Sequence, residues 1–426
     1  MTTKIYFDKE KHRDLFDKYL SNLKQEIKKT RVLENAYITN AGPFSIYNAW
    51  VDAGVYSENK ELYLESTQND YELNIKLDDD IEFVNKDVIY CGVLSPHYGH
   101  FLIESTVRLY YYLQNRGNDS YIVFSKLVDY IPKFAQDFFK LLEIPEDKII
   151  YVDKPTQFKS VTIPYKSFKR RREEYYTEEF LYPFLVASKN IKPAKFEKIF
   201  FSRKNWNGVA KCLGENDLEK VFNKNGFVSI AMEKLSLKEQ IAVIKGAKEI
   251  AGINGTAFHN IIFASEHKTL IMLNRNEETD CQYMINQATK ANCYLIKAYE
   301  NPLPVNHAHG PFIVGATLEF KDFAKKYGLK DYEISFNPKK YLTEFLEKYF
   351  EVYARSNFYD ELVANRKNLI DTSLFIKFLN YRKYSRIKHL VFYILSKITF
   401  GNLRKNFKEK RNIMRNLKNI NIEFKY

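Results

Sequence analysis

The segments KIFFSRK (198–204), ENDLEKVFNKNG (215–226), FVSIAM (227–232), SLKEQIAVIKGA (236–247), EIAGI (249–253), NGTAFHNIIFAS (254–265) and KTLIMLN (268–274) follow one another with little between them. Short apolar runs alternate with stretches whose apolar residues recur at helical spacing, so the pattern predicts strand, helix, strand, helix, strand, helix, strand. Ser236 stands where an N-cap is needed and Glu239 three residues later, the two halves of a capping box. With ANCYLIKA (291–298) as a further strand, this is a doubly wound α/β domain of the size that binds one nucleotide.

Upstream the same alternation is looser. VNKDVIYCGVL (84–94), SYIVFSK (120–126) and KIIYVD (148–153) read as strands, and HFLIESTVRLYYYLQNRG (100–117) and PKFAQDFFKLLEI (132–144) as helices. NIKPAKFEK (190–198) is the expected hinge. The organisation expected is therefore an α/β domain over 1–190, a second over 191–325, and a helical, charged, aromatic extension over 326–426.

Composition narrows the classes. The chain has 426 residues, too many for one ordinary core. Cys91, Cys212, Cys281 and Cys293 show no paired metal-ligand spacing, which argues against a structural zinc site and favours a reducing compartment. No run of 18 apolar residues occurs; HLVFYILSKITF (389–400) is short and carries Lys397. The opening MTTKIYFDKEKHRDLF has charges where a signal peptide needs an apolar run. The net charge of +13 is localised: residues 366–426 hold 16 Lys and Arg against 3 Asp and Glu, leaving 50 of each sign in the first 365. Bases interleaved with apolar residues, as in FIKFLNYRKYSRIKHLVFYIL (375–395), suit an anionic membrane surface; a basic face merely solvated is the alternative.

Three segments carry chemistry. In SPHYGHFLIESTVRL (95–109), Glu104 lies four residues after His100, one helical turn away, so a carboxylate can hold one imidazole nitrogen and leave the other as a base. Capping or core packing of His97 and His100 is the alternative. Arg203 and Lys204 end a strand, where ligands of open α/β sheets bind, and Arg grips diphosphate oxygens two at a time. In EIAGINGTAFHNIIF (249–263), Gly252, Asn254, Gly255 and Thr256 lead from a strand into a helix whose N-terminus offers free N–H groups to phosphate; a turn needing glycine for its own dihedrals is the alternative. LDDDIEF (77–83) reads as an acidic turn before a strand, and no Asp-x-Asp metal site is expected.

In this order the segments resemble family 61 glycosyltransferases, over about residues 85–300. His100 and Glu104 match the family's His and acidic residue, with His97 in place of its Asn. The family's Arg-x-x-x-Asn-Glu segment is weakened to Lys211-Cys212-Leu213-Gly214-Glu215, keeping Glu215; Asn254-Gly255 replaces His-Gly, and Asn260 matches. The resemblance implies a GT-B-like α/β fold of two facing Rossmann-type domains and an inverting transfer onto a surface glycan, capsule or lipopolysaccharide. It implies His100 or Glu104 as catalytic pair, Arg203, Lys204, Glu215, Gly252, Asn254, Gly255, Thr256, His259 and Asn260 on the donor, and His97, Tyr98 and Arg108 on the acceptor. No metal and no cofactor is expected beyond a nucleotide-sugar co-substrate, UDP-sugar favoured. The partners are then the nucleotide sugar, a glycan or lipid-linked glycan, and the anionic membrane met by residues 366–426, which places the protein on the cytoplasmic face of the plasma membrane. The rival classes are a non-catalytic protein whose basic tail grips nucleic acid or anionic membrane, and another nucleotide-sugar enzyme such as an epimerase or sugar-phosphate transferase.

Overall fold

The computed structural model describes residues 2–353 apart from 22–28, 43–52, 69–72, 74, 76, 79, 117–118, 172, 205, 207, 209, 278–280, 304 and 306–308, together with Lys408. The basic stretch 366–426 otherwise lies outside the described residues. Two compact units are present. The first comprises residues 1–202, 222–273 and 279–296; the second comprises 203–221, 274–278 and 297–426.

Among the described residues the first unit holds two large sheets and the two-stranded hairpin of Phe168–Lys169 with Tyr175–Tyr176. One has seven strands in the order Leu62–Tyr63, Val55–Tyr56, Arg31–Ile38, Thr156–Ile163, Phe83–Leu94, Tyr121–Lys126, Ile149–Val152. Phe83–Leu94 runs parallel to both neighbours and Tyr121–Lys126 is parallel to Ile149–Val152, whereas Arg31–Ile38 and the two short strands beyond it are antiparallel. Its core is Ala36, Ile38, Val88, Tyr90, Val123, Phe158 and Val161, all buried. These come mainly from β-branched and aromatic runs, which fit a pleated surface covered by helices.

The second sheet has the order Thr3–Tyr6, Asn292–Lys297, Thr269–Asn274, Glu249–Ile253, Lys198–Phe201, Val228–Ile230. Lys198–Phe201 is parallel to both neighbours, and Glu249–Ile253 is parallel to Thr269–Asn274. Counting from Lys198–Phe201, the strands run 2-1-3-4-5, a flavodoxin-like winding. Its order reverses between Lys198–Phe201 and Glu249–Ile253, so the crevice beyond their carboxyl ends is where such folds bind ligands. The chain's first strand completes this sheet by pairing Thr3–Tyr6 in parallel with Cys293–Ile296. The fold is thus mixed α/β with largely parallel sheets, as the alternating pattern predicts.

The expected capping box is present. Ser236 Oγ accepts from the Glu239 N–H, and the Glu239 carboxylate accepts from the Ser236 N–H at 2.8 Å. Phenylalanines join the helices on the two sheets: Phe138 and Phe184 both pack against Phe263, the latter at 5.3 Å between ring centroids. All four cysteines are buried free thiols.

The second unit contains Glu215–Val221 of the helix Glu215–Lys224 and the short parallel pair Cys212–Leu213 and Phe312–Ile313. It also holds the helices Leu318–Tyr327 and Leu342–Tyr353, the latter preceded by a 3₁₀ turn at Pro338–Tyr341. Thr317 caps the former by accepting from the Phe320 N–H, and Gly328 closes it in the left-handed region.

Candidate active site

The helix expected over 100–117 is broken. Tyr98–His100 is one helical turn, Phe101–Ser105 is π-helical, and regular helix resumes at Leu109–Gln114. The inserted register widens the helix where Glu104 sits, a distortion that recurs at functional sites. Within it His100 Nδ1 lies 2.8 Å from Glu104 Oε2.

Glu104 is almost wholly enclosed and every part of its carboxylate is engaged. Arg170 Nε donates to Oε1, and Gln68 Nε2 donates to Oε2 beside the imidazole. Burial alone would push the carboxyl above the usual carboxylate range, but the charges of His100 and Arg170 and the hydrogen bonds from both outweigh it, holding the carboxyl at about 2. A carboxylate this committed does not accept a substrate proton near neutrality. Its effect is on His100. An ionised oxygen at 2.8 Å demands the proton on Nδ1, so the lone pair resides on Nε2, the atom a general base needs. Arg170 Nη2, 3.3 Å from Nδ1, adds a positive charge at that edge. The His100 side chain is 35 % exposed against 8 % for Glu104, which leaves the base accessible and its partner sheltered.

The Gly turn reaches the same place. Gly99 passes so close to it that a Cβ would come within 2.8 Å of Thr256 Cγ2 and 3.4 Å of His259 Cδ2, so only glycine fits. The Tyr98 hydroxyl donates to Asn260 Oδ1 at 2.5 Å, and Asn260 Nδ2 donates to Gln240 Oε1. His259 Nδ1 donates to Gln282 Oε1 at 2.6 Å; the Gln282 amide nitrogen is turned to Phe258 O and Asn286 Oδ1, which fixes that direction and leaves the lone pair of His259 on Nε2. His97 packs edge-on against His100, ring centroids 5.1 Å apart. Its surroundings push it down to about 4, burial first and then the neighbouring His100, His259 and Arg170, which disfavour a further positive charge, although the side chain keeps an exposed face. The ring is therefore neutral near pH 7.

Other expected residues stand differently. The segment after Gly255 forms a tight 3₁₀ helix, Thr256–Phe263, rather than an α-helix. Gly252 is required by its neighbour strand: with φ +154°, a Cβ there would lie 2.9 Å from the Phe201 Cβ. Arg108 is fully buried and donates to the carbonyls of Pro164 and Glu65 at 2.8 Å each, bracing loops of the first unit.

Arg203, Lys204 and Glu215 cluster in the second unit. The Arg203 N–H donates to Glu215 Oε1 at 2.5 Å, its Nη2 reaches Ala210 O, and its guanidinium lies 5.7 Å from the Trp206 ring. Lys204 pairs with Glu219 at 3.2 Å. Buried Glu215 Oε2 and Arg203 Nε have no hydrogen-bond partner among the described residues. Burial raises Glu215 to about 7 against the opposing pull of Arg203.

Gln68 and Arg170, which hold Glu104, are residues of the candidate site that spacing did not single out. Arg170 belongs to the basic run KRRR (169–172) in a body with equal numbers of acids and bases, and that run was the available signal.

Residues 98–271 match the family model described as Glycosyltransferase 61. The family resemblance carried by the HYGH segment, the Arg-ended strand and the Gly turn is thus shown over that stretch. No curated protein sequence matches the chain. Among solved structures, the chain is similar to the dodecameric iron-containing heptosyltransferase TibC in complex with ADP-D-beta-D-heptose. The identity is 10%, covering 64% of this chain and 80% of that one with a TM-score of 0.25. It is likewise similar to the iron-containing dodecameric glycosyltransferase TibC of enterotoxigenic E. coli H10407, at 11% identity over 74% and 85% of the two chains with a TM-score of 0.24.

Proposed function

We propose, from the glycosyltransferase 61 region at residues 98–271, that this protein is an inverting, GT-B-like glycosyltransferase in which His100 is the general base. The single observation that carries the reading is the His100–Glu104 pair at 2.8 Å, with Glu104 clamped by Arg170 and Gln68. In this reading the acceptor hydroxyl gives its proton to His100 Nε2 and its oxygen attacks the anomeric carbon of the donor. The bond from that carbon to the diphosphate oxygen breaks, and the nucleoside diphosphate leaves with the electron pair. Glu104 stabilises the imidazolium that forms, as a buried acid does for the histidine of a hydrolase triad.

The turn at 252–256 and Asn260 are proposed donor contacts at the crevice where the strand order reverses. Arg203, Lys204 and Glu215 are proposed donor contacts too, with cationic side chains rather than a metal offsetting the leaving-group charge. The donor is proposed to be a nucleotide sugar, UDP-linked, and the product a capsule or lipopolysaccharide glycan made at the cytoplasmic face of the plasma membrane. Residues 366–426 would hold the enzyme there through Lys and Arg against anionic headgroups. Equal sedimentation with anionic liposomes, with and without residues 400–426, would remove that role.

Product analysis tests the reading. Incubation with a panel of UDP-, GDP-, ADP-, CMP- and dTDP-sugars and oligosaccharide acceptors is expected to release free nucleotide and yield a glycoside of inverted anomeric configuration by NMR. Epimerised nucleotide sugar, or transfer of a sugar phosphate, would replace it with another nucleotide-sugar chemistry.

A further inference from the structure

A second cavity, of about 580 Å³, opens in the first unit and shares Lys166 and Lys169 with the small pocket that reaches Glu104. Its size is that of a small-molecule site, typically about 300–1,000 Å³. Lys29, Arg31, Lys166 and Lys169 line it, with Glu65 and Glu173 as its acids, so the wall carries a surplus of positive charge. Tyr63, Tyr165 and Tyr175 supply the flat surfaces. Tyrosine presents an apolar face to the C–H side of a sugar and a hydroxyl to its oxygens, at low cost in rotamer freedom.

Its position ties it to the chemistry. Lys166 and Lys169 also line a pocket of about 20 Å³ that reaches Gln68, Glu104 and Arg170. Lys166 Nζ donates to the Gln68 carbonyl at 3.2 Å, and the Gln68 side chain holds Glu104. The short hairpin pairing Phe168–Lys169 with Tyr175–Tyr176 serves both places. Arg170 from its loop holds Glu104, while Lys169 and Tyr175 line the larger cavity. Lys169 Nζ lies 3.9 Å from Glu173; the lysine side chain is 11 % exposed and the glutamate 70 %.

We propose that this cavity binds the acceptor, and that the acceptor is an acidic saccharide whose carboxylate or phosphate is held by Lys169 and Arg31 while its sugar rings lie on the tyrosines. Acceptor specificity then resides in the cavity and proton abstraction in the adjoining His100–Glu104 pair. The assignment rests on the glycosyltransferase reading.

The test uses the full chain and three probes of equal length: a uronate-bearing disaccharide, its neutral counterpart and a phosphorylated disaccharide, titrated by calorimetry. Binding of at least one acidic probe about tenfold tighter than the neutral one is expected, weakening as salt rises. Which acidic probe binds tighter identifies the anion. In the double variant Arg31→Gln/Lys169→Gln the preference falls to within about threefold, and Lys169→Arg retains it. Equal affinity for acidic and neutral probes, or a preference untouched by the double variant in a folded protein, overturns the proposal. If the acidic preference is found but no sugar is transferred from any donor, the transferase reading fails instead. If transfer occurs without the preference, only the acceptor assignment falls.

Discussion

Glu104 in the first unit and Glu215 in the second are both buried, yet their acidities are displaced in opposite directions, to about 2 and about 7. Burial disfavours the carboxylate in both. At Glu104 that penalty is overcome by the charges of His100 and Arg170 and by the hydrogen bonds from both. At Glu215 only the Arg203 N–H binds one oxygen, the other is unpartnered among the described residues, and Glu219 adds a like charge nearby. Partners rather than depth therefore decide whether a buried acid is a fixed anion that orients a histidine or a group that titrates near neutrality.

The largest effect is expected where the paired anion is removed. Glu104→Gln keeps the shape but loses the charge that sets the His100 tautomer, so turnover should fall on the order of 10²–10⁴. It also leaves Arg170 without its counter-charge, at a cost of up to about 3–5 kcal/mol of stability. Steady-state kinetics with denaturant unfolding checks both; a variant within a few-fold of the parent in turnover would make Glu104 a packing residue. The linkage has a definite sign. A carboxyl held low contributes stability above its ordinary value that is lost only as pH falls toward about 2, so Glu104 stays charged through the working range.

A smaller effect of opposite sign is expected at Glu215. Its folded-state value lies above the unfolded one, so stability is lost as pH rises from about 4.5 to about 7, where the folded chain must ionise a buried acid. Glu215→Gln removes that slope. Relative to the parent it should gain stability between pH 5 and pH 8, by about 3 kcal/mol at most if the whole shift is expressed. Unfolding curves at the two pH values decide; a parent-to-variant difference independent of pH would mean that Glu215 is already ionised at pH 5.

Much of the frame was legible in the sequence because it is local. KIFF, EIAGI and TLIMLN are apolar runs too short for helices, and Ser236–Glu239 announces a helix start, so strands and helix fall where the pattern places them. The strand Thr3–Tyr6 was not legible as part of the second sheet, because its partner Cys293–Ile296 lies at the far end of the α/β region and no local signal encodes such pairing. In the site, His100 and Glu104 are one turn apart and could be read together. Gln68 and Arg170 come from segments 36 and 66 residues away from Glu104, joined to it only by the fold. Arg108 illustrates the converse: the resemblance implied an acceptor contact, whereas burial turns its donors to main-chain carbonyls.

The central assignment, that His100 takes the acceptor proton, is tested most directly by His100→Ala with donor binding and transfer measured on the same preparation. Transfer is expected to fall on the order of 10²–10⁴ while nucleotide-sugar affinity stays within a few-fold of the parent. Transfer retained within a few-fold, with the fold intact, would contradict the assignment and make His100 a structural partner of Glu104.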